Sequence, residues 1–161
     1  FGHIVRGFTP NLHIEARSQV VKIETFIQER VNSNPNLHFV VLVGYSWGGG
    51  DVYEVAKWLT NESGLKIKIA ASVYVDAVTL QLGTAENRLP PGSQSMLNIF
   101  QSKQLDASWL LGGGPITDSK EIKPVEIDLD KKENTADHGN IDEIAYQKIL
   151  DFIHQKIIVQ Q

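Results

Sequence analysis

The sequence predicts an α/β fold, a mostly parallel sheet with helices on both faces, on three observations. Short β-branched runs alternate with longer amphipathic segments, the signature of βα units. Two of those runs, Leu37–Val43 and Ile67–Val75, are apolar at nearly every position, as strands covered on both faces are. Between them, Val41-Leu-Val-Gly-Tyr-Ser-Trp-Gly-Gly-Gly50 passes from an apolar run directly into glycines and then a helical pattern.

The elements follow in order. Gly2-His-Ile-Val-Arg-Gly7 reads as a short strand, and Thr9-Pro10 as a helix N-cap followed by proline in the first turn. Ile14, Val20, Ile23, Ile27 and Val31 recur at helical spacing, which predicts a helix over 11–31, ended by Asn32-Ser-Asn-Pro-Asn36. Strand 37–43 comes next, then a helix over Asp51–Leu59 with Val52, Val55, Ala56 and Leu59 on one face, closed by Asn61-Glu-Ser-Gly64. The second apolar strand ends in Asp76; residues 80–93 are loop-like, and Ser95–Gln101 is a further strand. Residues 106–119, with Gly112-Gly-Gly-Pro115, are irregular; Val125–Leu129 alternates as a last strand. Ile141–Ile158 closes the chain as a helix with Ile141, Ala145, Ile149, Phe152 and Ile153 inward.

Composition narrows the possible roles. The 161 residues suit one domain, and 42% hydrophobic with 21% charged residues is ordinary for a globular chain. A net charge of −4 argues against nucleic acid as the main partner. No apolar run approaches the roughly 18–20 residues of a membrane helix, so no integral membrane segment is expected, and no signal-peptide pattern is visible. The chain has no cysteine, which excludes disulfides and leaves the redox compartment open. Its five histidines show no paired ligand spacing, so neither metal nor cofactor is implied.

The serine among the glycines has two readings, a phosphate cradle or a nucleophile. A P-loop needs lysine after its glycines, and a dinucleotide fingerprint needs Gly-x-Gly-x-x-Gly; neither is present. Gly44-x-Ser46-x-Gly48 between a strand and a helix is instead the pattern of a nucleophile elbow, where small residues two before and two after let strand and helix approach. The blander alternative is a glycine-rich turn whose serine caps the helix. A serine nucleophile needs a base. Four histidines (His3, His13, His38, His154) fall within or at the start of regular elements, whereas His138 lies in the polar loop Glu133-Asn-Thr-Ala-Asp-His-Gly-Asn140. A carboxylate must orient that base. Asp76, ending a strongly apolar strand, is favoured; Asp106 is next, Asp118 lies further along, and Asp137 is disfavoured because neighbouring side chains diverge.

Gly44-Tyr-Ser-Trp-Gly48 after Phe39-Val-Val-Leu-Val43, then Asp76, then His138 before a terminal helix, resembles the α/β-hydrolase superfamily over roughly residues 37–158. The resemblance implies Ser46 as nucleophile, His138 as general base and acid, and Asp76 or Asp106 as the orienting acid. An acid directly after the strand following the elbow is found among lipases; the commoner place, one strand later, belongs to Asp106. It implies oxyanion donors at Trp47 and at a loop residue after an earlier strand, for which Phe8, in Arg6-Gly7-Phe8, is the nearest candidate. Only 38 positions (46 − 8) separate Phe8 from Ser46, so the expectation is a single domain over 1–161 with a reduced or N-terminally incomplete fold. The activity implied is hydrolysis of a small-molecule ester or thioester through an acyl-enzyme, by a serine esterase, lipase or thioesterase. Loops 80–93 and 106–119 would frame the acyl pocket, with Phe100, Trp109, Leu110 and Leu111 as candidate lining. Acyl transfer to another acceptor uses the same residues. A non-catalytic binding or interaction domain of the same fold is the alternative from a different class. Oligomeric state and compartment are not encoded in any pattern here.

Overall fold

The computed structural model describes residues 19–79, 84–102, 112–119, 122–129 and 136–158. In chain order these form α1 (Val20–Ser33), β1 (Phe39–Tyr45), α2 (Gly48–Asn61), β2 (Lys68–Val75), β3 (Met96–Phe100), β4 (Val125–Asp128) and α3 (Ile141–Ile158). The four strands make one sheet in the order β1-β2-β3-β4, every neighbouring pair parallel. Parallel neighbours need crossovers, and the described helix α2 supplies the one between β1 and β2.

Helices cover both faces, as expected. On one, Ile27 of α1 and Val52, Val55, Ala56 and Leu59 of α2 pack on Leu42, Ile69, Tyr74 and Met96. On the other, Ile141, Ala145, Ile149 and Phe152 of α3 meet Ala71, Val73, Val75, Leu97 and Ile99. Removing this much apolar surface from water is what pins the layers, at roughly 25 cal/mol per Å² buried. Strand β2 serves both cores by the alternation of its side chains, Tyr74 on one and Val73 and Val75 on the other, and its register against β1 shifts between Val40 and Val41: Ile69 pairs with Val40 and Ala71 with Val41, leaving Ala70 unmatched. The extra residue lets Ile69 face the α1–α2 side while Ala71, Val73 and Val75 face α3.

Several boundaries differ from those read off the sequence. The expected helix over 11–31 is described only from Val20, with Gln19 outside helical geometry, and it runs on to Ser33. It ends there because Asn34 precedes Pro35 and is extended, as pre-proline sterics demand. Strand β1 sits two residues later than expected and continues through Gly44 and Tyr45 to the edge of Ser46. Helix α2 starts at Gly48, not Asp51, so three glycines lie inside its first turn. Each costs roughly 0.5–1 kcal/mol against alanine in a helix, which only a close approach elsewhere can offset. Helix α3 has the expected bounds. The strand and N-cap expected over residues 2–10 lie outside the described residues. No described helix is long and apolar enough to cross a membrane.

Candidate functional site

The C-terminal ends of β1 and β2 lie side by side, with Tyr45 paired to Val75. The next residue on each, Ser46 and Asp76, turns into the left-handed region, with φ of 54° and 45°. A non-glycine residue there is strained and persists only when its surroundings over-determine it. For Ser46 they do: its N–H donates to the Val75 carbonyl (3.0 Å), and its carbonyl accepts from Gly49 N–H (3.0 Å) and Val78 N–H (2.9 Å). Asp76 N–H donates to Ile99 of β3 (2.7 Å). Three strands and a helix thus fix the two turns.

The glycines make the packing possible, though only one of the two the spacing suggests, Gly44, is among those that must be small. A Cβ on Gly44 would lie 2.2 Å from the Gly48 carbonyl oxygen, and one on Gly49 would lie 2.2 Å from the Ala77 Cβ. A Cβ on Gly48 itself would meet nothing within 4 Å. The second small residue this strand-to-helix turn requires is therefore Gly49; the helix turns so that position 48 faces open space.

His138 arrives from the turn before α3. Asp137 and Asn140 clamp that turn reciprocally: Asp137 Oδ1 accepts from Gly139 N–H (2.8 Å) and Asn140 N–H (3.0 Å), and Asn140 Oδ1 accepts from Asp137 N–H (2.8 Å). The Asp137 carboxylate is thereby committed to its own backbone. Held this way, His138 places Nε2 2.9 Å from Ser46 Oγ and Nδ1 2.6 Å from Asp76 Oδ2. A carboxylate can only accept, so Nδ1 carries the ring proton and Nε2 accepts from the serine hydroxyl. In that tautomer a ring nitrogen can take the serine proton while the carboxylate stabilises the resulting cation.

Asp76 is completely buried, and such a carboxylate is tolerated only when fully hydrogen-bonded. Oδ1 accepts from Gly113 N–H (2.7 Å); Oδ2 accepts from the Gln101 amide (3.2 Å) as well as His138. Gly113 reaches it because a Cβ there would lie 2.7 Å from the Asp76 Cα. Its loop is anchored from below by Asn98, which donates to the Gly114 carbonyl (2.9 Å), and by Glu126, which accepts from Ile116 N–H (2.6 Å). Behind Asp76, Glu86 N–H donates to the Ala77 carbonyl (2.9 Å). The buried Glu86 carboxylate is held by Arg88 (2.6 and 2.8 Å).

Tyr45 is the third group on His138. Its hydroxyl donates to the His138 backbone carbonyl, and the two rings lie 5.4 Å apart with a 32° tilt. Partial burial, reinforced by the negative charges of Asp142, Asp76 and Asp137, pushes this hydroxyl up to about 12, so it stays protonated at neutral pH.

Of the residues singled out from sequence, Ser46, Asp76 and His138 come together, and Trp47 follows Ser46 with helical dihedrals at the start of α2. Asp118 pairs through its backbone with Arg88. Phe100 is buried at the end of β3. Asp106, Phe8, His3, His13, Trp109, Leu110 and Leu111 lie outside the described residues. Gln101, Gly113 and Tyr45 were missed. Gln101 gave one usable sign, a polar residue just past a buried strand, the same sign that marked Asp76. Among the described residues no group of three or more His, Asp or Glu side chains could hold a metal ion. The chain matches no family model, no curated protein and no solved structure.

Proposed function

We propose that the protein is a serine hydrolase that cleaves an ester or thioester through an acyl-enzyme on Ser46. One observation carries the reading: Ser46 Oγ, the His138 ring and the buried Asp76 carboxylate stand in hydrogen-bonded sequence at 2.9 and 2.6 Å. They come from three separate places in the chain, and Ser46 sits on a strained strand-to-helix turn.

Ser46 Oγ attacks the substrate carbonyl carbon while Nε2 of His138 takes the hydroxyl proton. Asp76 keeps Nδ1–H in place and stabilises the imidazolium. The tetrahedral intermediate collapses as Nε2 returns the proton to the leaving alcohol or thiol, leaving the acyl group on Ser46. A water then gives a proton to Nε2 as it attacks the acyl carbon, and Nε2 passes that proton to Ser46 Oγ as the acyl–Oγ bond breaks, releasing the acid and restoring the free serine. The developing oxyanion would be met by the N–H of Trp47 at the start of α2, with Phe8 as the proposed second donor; one such donor contributes about 10²–10³ in rate.

A fluorophosphonate probe tests the proposal directly. The intact protein should be labelled on Ser46, with no label on Ser46→Ala and labelling slowed by about 10³-fold or more in His138→Ala. A folded wild-type protein that does not react sinks the proposal and leaves the non-catalytic binding domain as the reading of this fold.

A further inference from the structure

We infer that Tyr45 is a positioning residue for His138: its hydroxyl tethers the His138 carbonyl, and its ring backs the imidazole. The inference rests on the Ser46 hydrolase reading for its consequence in rate, but not for its geometry.

Asp76 and Ser46 act on the imidazole nitrogens, so they fix the ring only if the backbone that carries it is fixed too. The clamp between Asp137 and Asn140 shapes the turn from within, yet it does not tie that turn to the sheet. Tyr45 does. It is the last residue of β1, directly before Ser46, and its hydroxyl reaches a carbonyl 93 residues away. The residue that carries the base is thus bonded to the neighbour of the residue that carries the nucleophile. Both ends of the Ser46–His138 contact then share one rigid support, the end of β1. The tilted ring contact at 5.4 Å limits swing of the imidazole out of the line joining Oγ to Oδ2. Tyrosine suits the position because its side chain has only two rotatable bonds before the hydroxyl, and because the hydroxyl stays a donor across the neutral range.

The test compares wild type with Tyr45→Phe, which keeps the ring, and Tyr45→Leu, which removes it. Two readouts are used: the rate of fluorophosphonate labelling together with ester turnover, and the far-downfield proton resonance of the His138–Asp76 hydrogen bond. Tyr45→Phe should lower kcat and the labelling rate about tenfold at unchanged KM, short of the hundredfold that an ångström of misplacement costs. Its downfield resonance should shift or broaden through faster exchange with water. Tyr45→Leu should lose more on both readouts. Wild-type rates with an unchanged resonance in Tyr45→Phe overturn the inference, as does a rise in KM alone. If wild type itself fails to label, the hydrolase reading falls, and the resonance alone decides whether the tether holds the ring.

Discussion

Adjacent glycines in α2 should respond in opposite ways to the same substitution. A Cβ on Gly49 would sit 2.2 Å from the Ala77 Cβ and 3.0 Å from its Cα, against a comfortable carbon–carbon separation of about 3.5–4.0 Å. More than an ångström must open between α2 and the segment after β2. Little can yield, because Ala77 is buried, its carbonyl holds Glu86, and Gly113 presses on Asp76 from the other side. Overpacking of this kind costs about 1–3 kcal/mol; less the roughly 0.5–1 kcal/mol that alanine gains over glycine in a helix, Gly49→Ala should lose up to about 2.5 kcal/mol. Gly48→Ala meets no atom and should gain up to about 1 kcal/mol. The gap between the variants, about 1–3 kcal/mol, is readable in urea unfolding midpoints followed by far-UV circular dichroism. The activities should diverge further. Displacing Ala77 moves Asp76 and, through it, His138, so Gly49→Ala should label with fluorophosphonate about 10²-fold more slowly while Gly48→Ala labels normally. Equal stabilities, or the greater damage at Gly48, would refute the packing argument.

Other outcomes follow from the same geometry. Asp76→Asn keeps the side-chain shape but presents an amide where Nδ1–H needs an acceptor; turnover should fall about 10³–10⁴-fold with KM little changed, and an unchanged kcat would assign the orienting role elsewhere. The Tyr45 hydroxyl is raised from its ordinary value of 10.0 to about 12, so the folded state holds this proton more tightly than the unfolded chain. The associated stability is full below about pH 10 and is lost as pH climbs towards about 12. Urea midpoints at about pH 9 and about pH 11.5 should therefore fall less in Tyr45→Phe than in wild type; parallel falls would contradict the assignment.

What was legible in the sequence was whatever a short window of residues determines. The strand–turn–helix around Ser46 could be read because an apolar strand, a serine flanked by small residues and an amphipathic helix follow one another within some twenty positions. Asp76 stood out because a charge at the end of so apolar a strand demands a partner. Helix α3 kept its expected bounds because its apolar period is regular and a polar turn precedes it. The rest depends on contacts between distant segments. The glycines of α2 look like helix breakers in isolation; the close packing of Gly49 on Ala77 is a tertiary contact that local propensity cannot show. Gln101 and Gly113 reach Asp76 from 25 and 37 positions away, and Tyr45 reaches His138 across 93, separations with no periodic signature. The shift opposite Ala70 is equally silent, since an extra residue in an all-apolar strand leaves no break in the pattern.

The positive φ at Ser46 also bears on how the site would be inherited. Glycine and asparagine enter that backbone region more readily than serine, so a library at position 46 selected only for folding should drift towards them. Serine would return only under selection for acyl chemistry. On the proposed function, the residue most exposed to loss once activity ceased to matter is thus the proposed nucleophile itself, and a glycine at this turn would be the first mark of a lineage that had kept the fold and abandoned the proposed reaction.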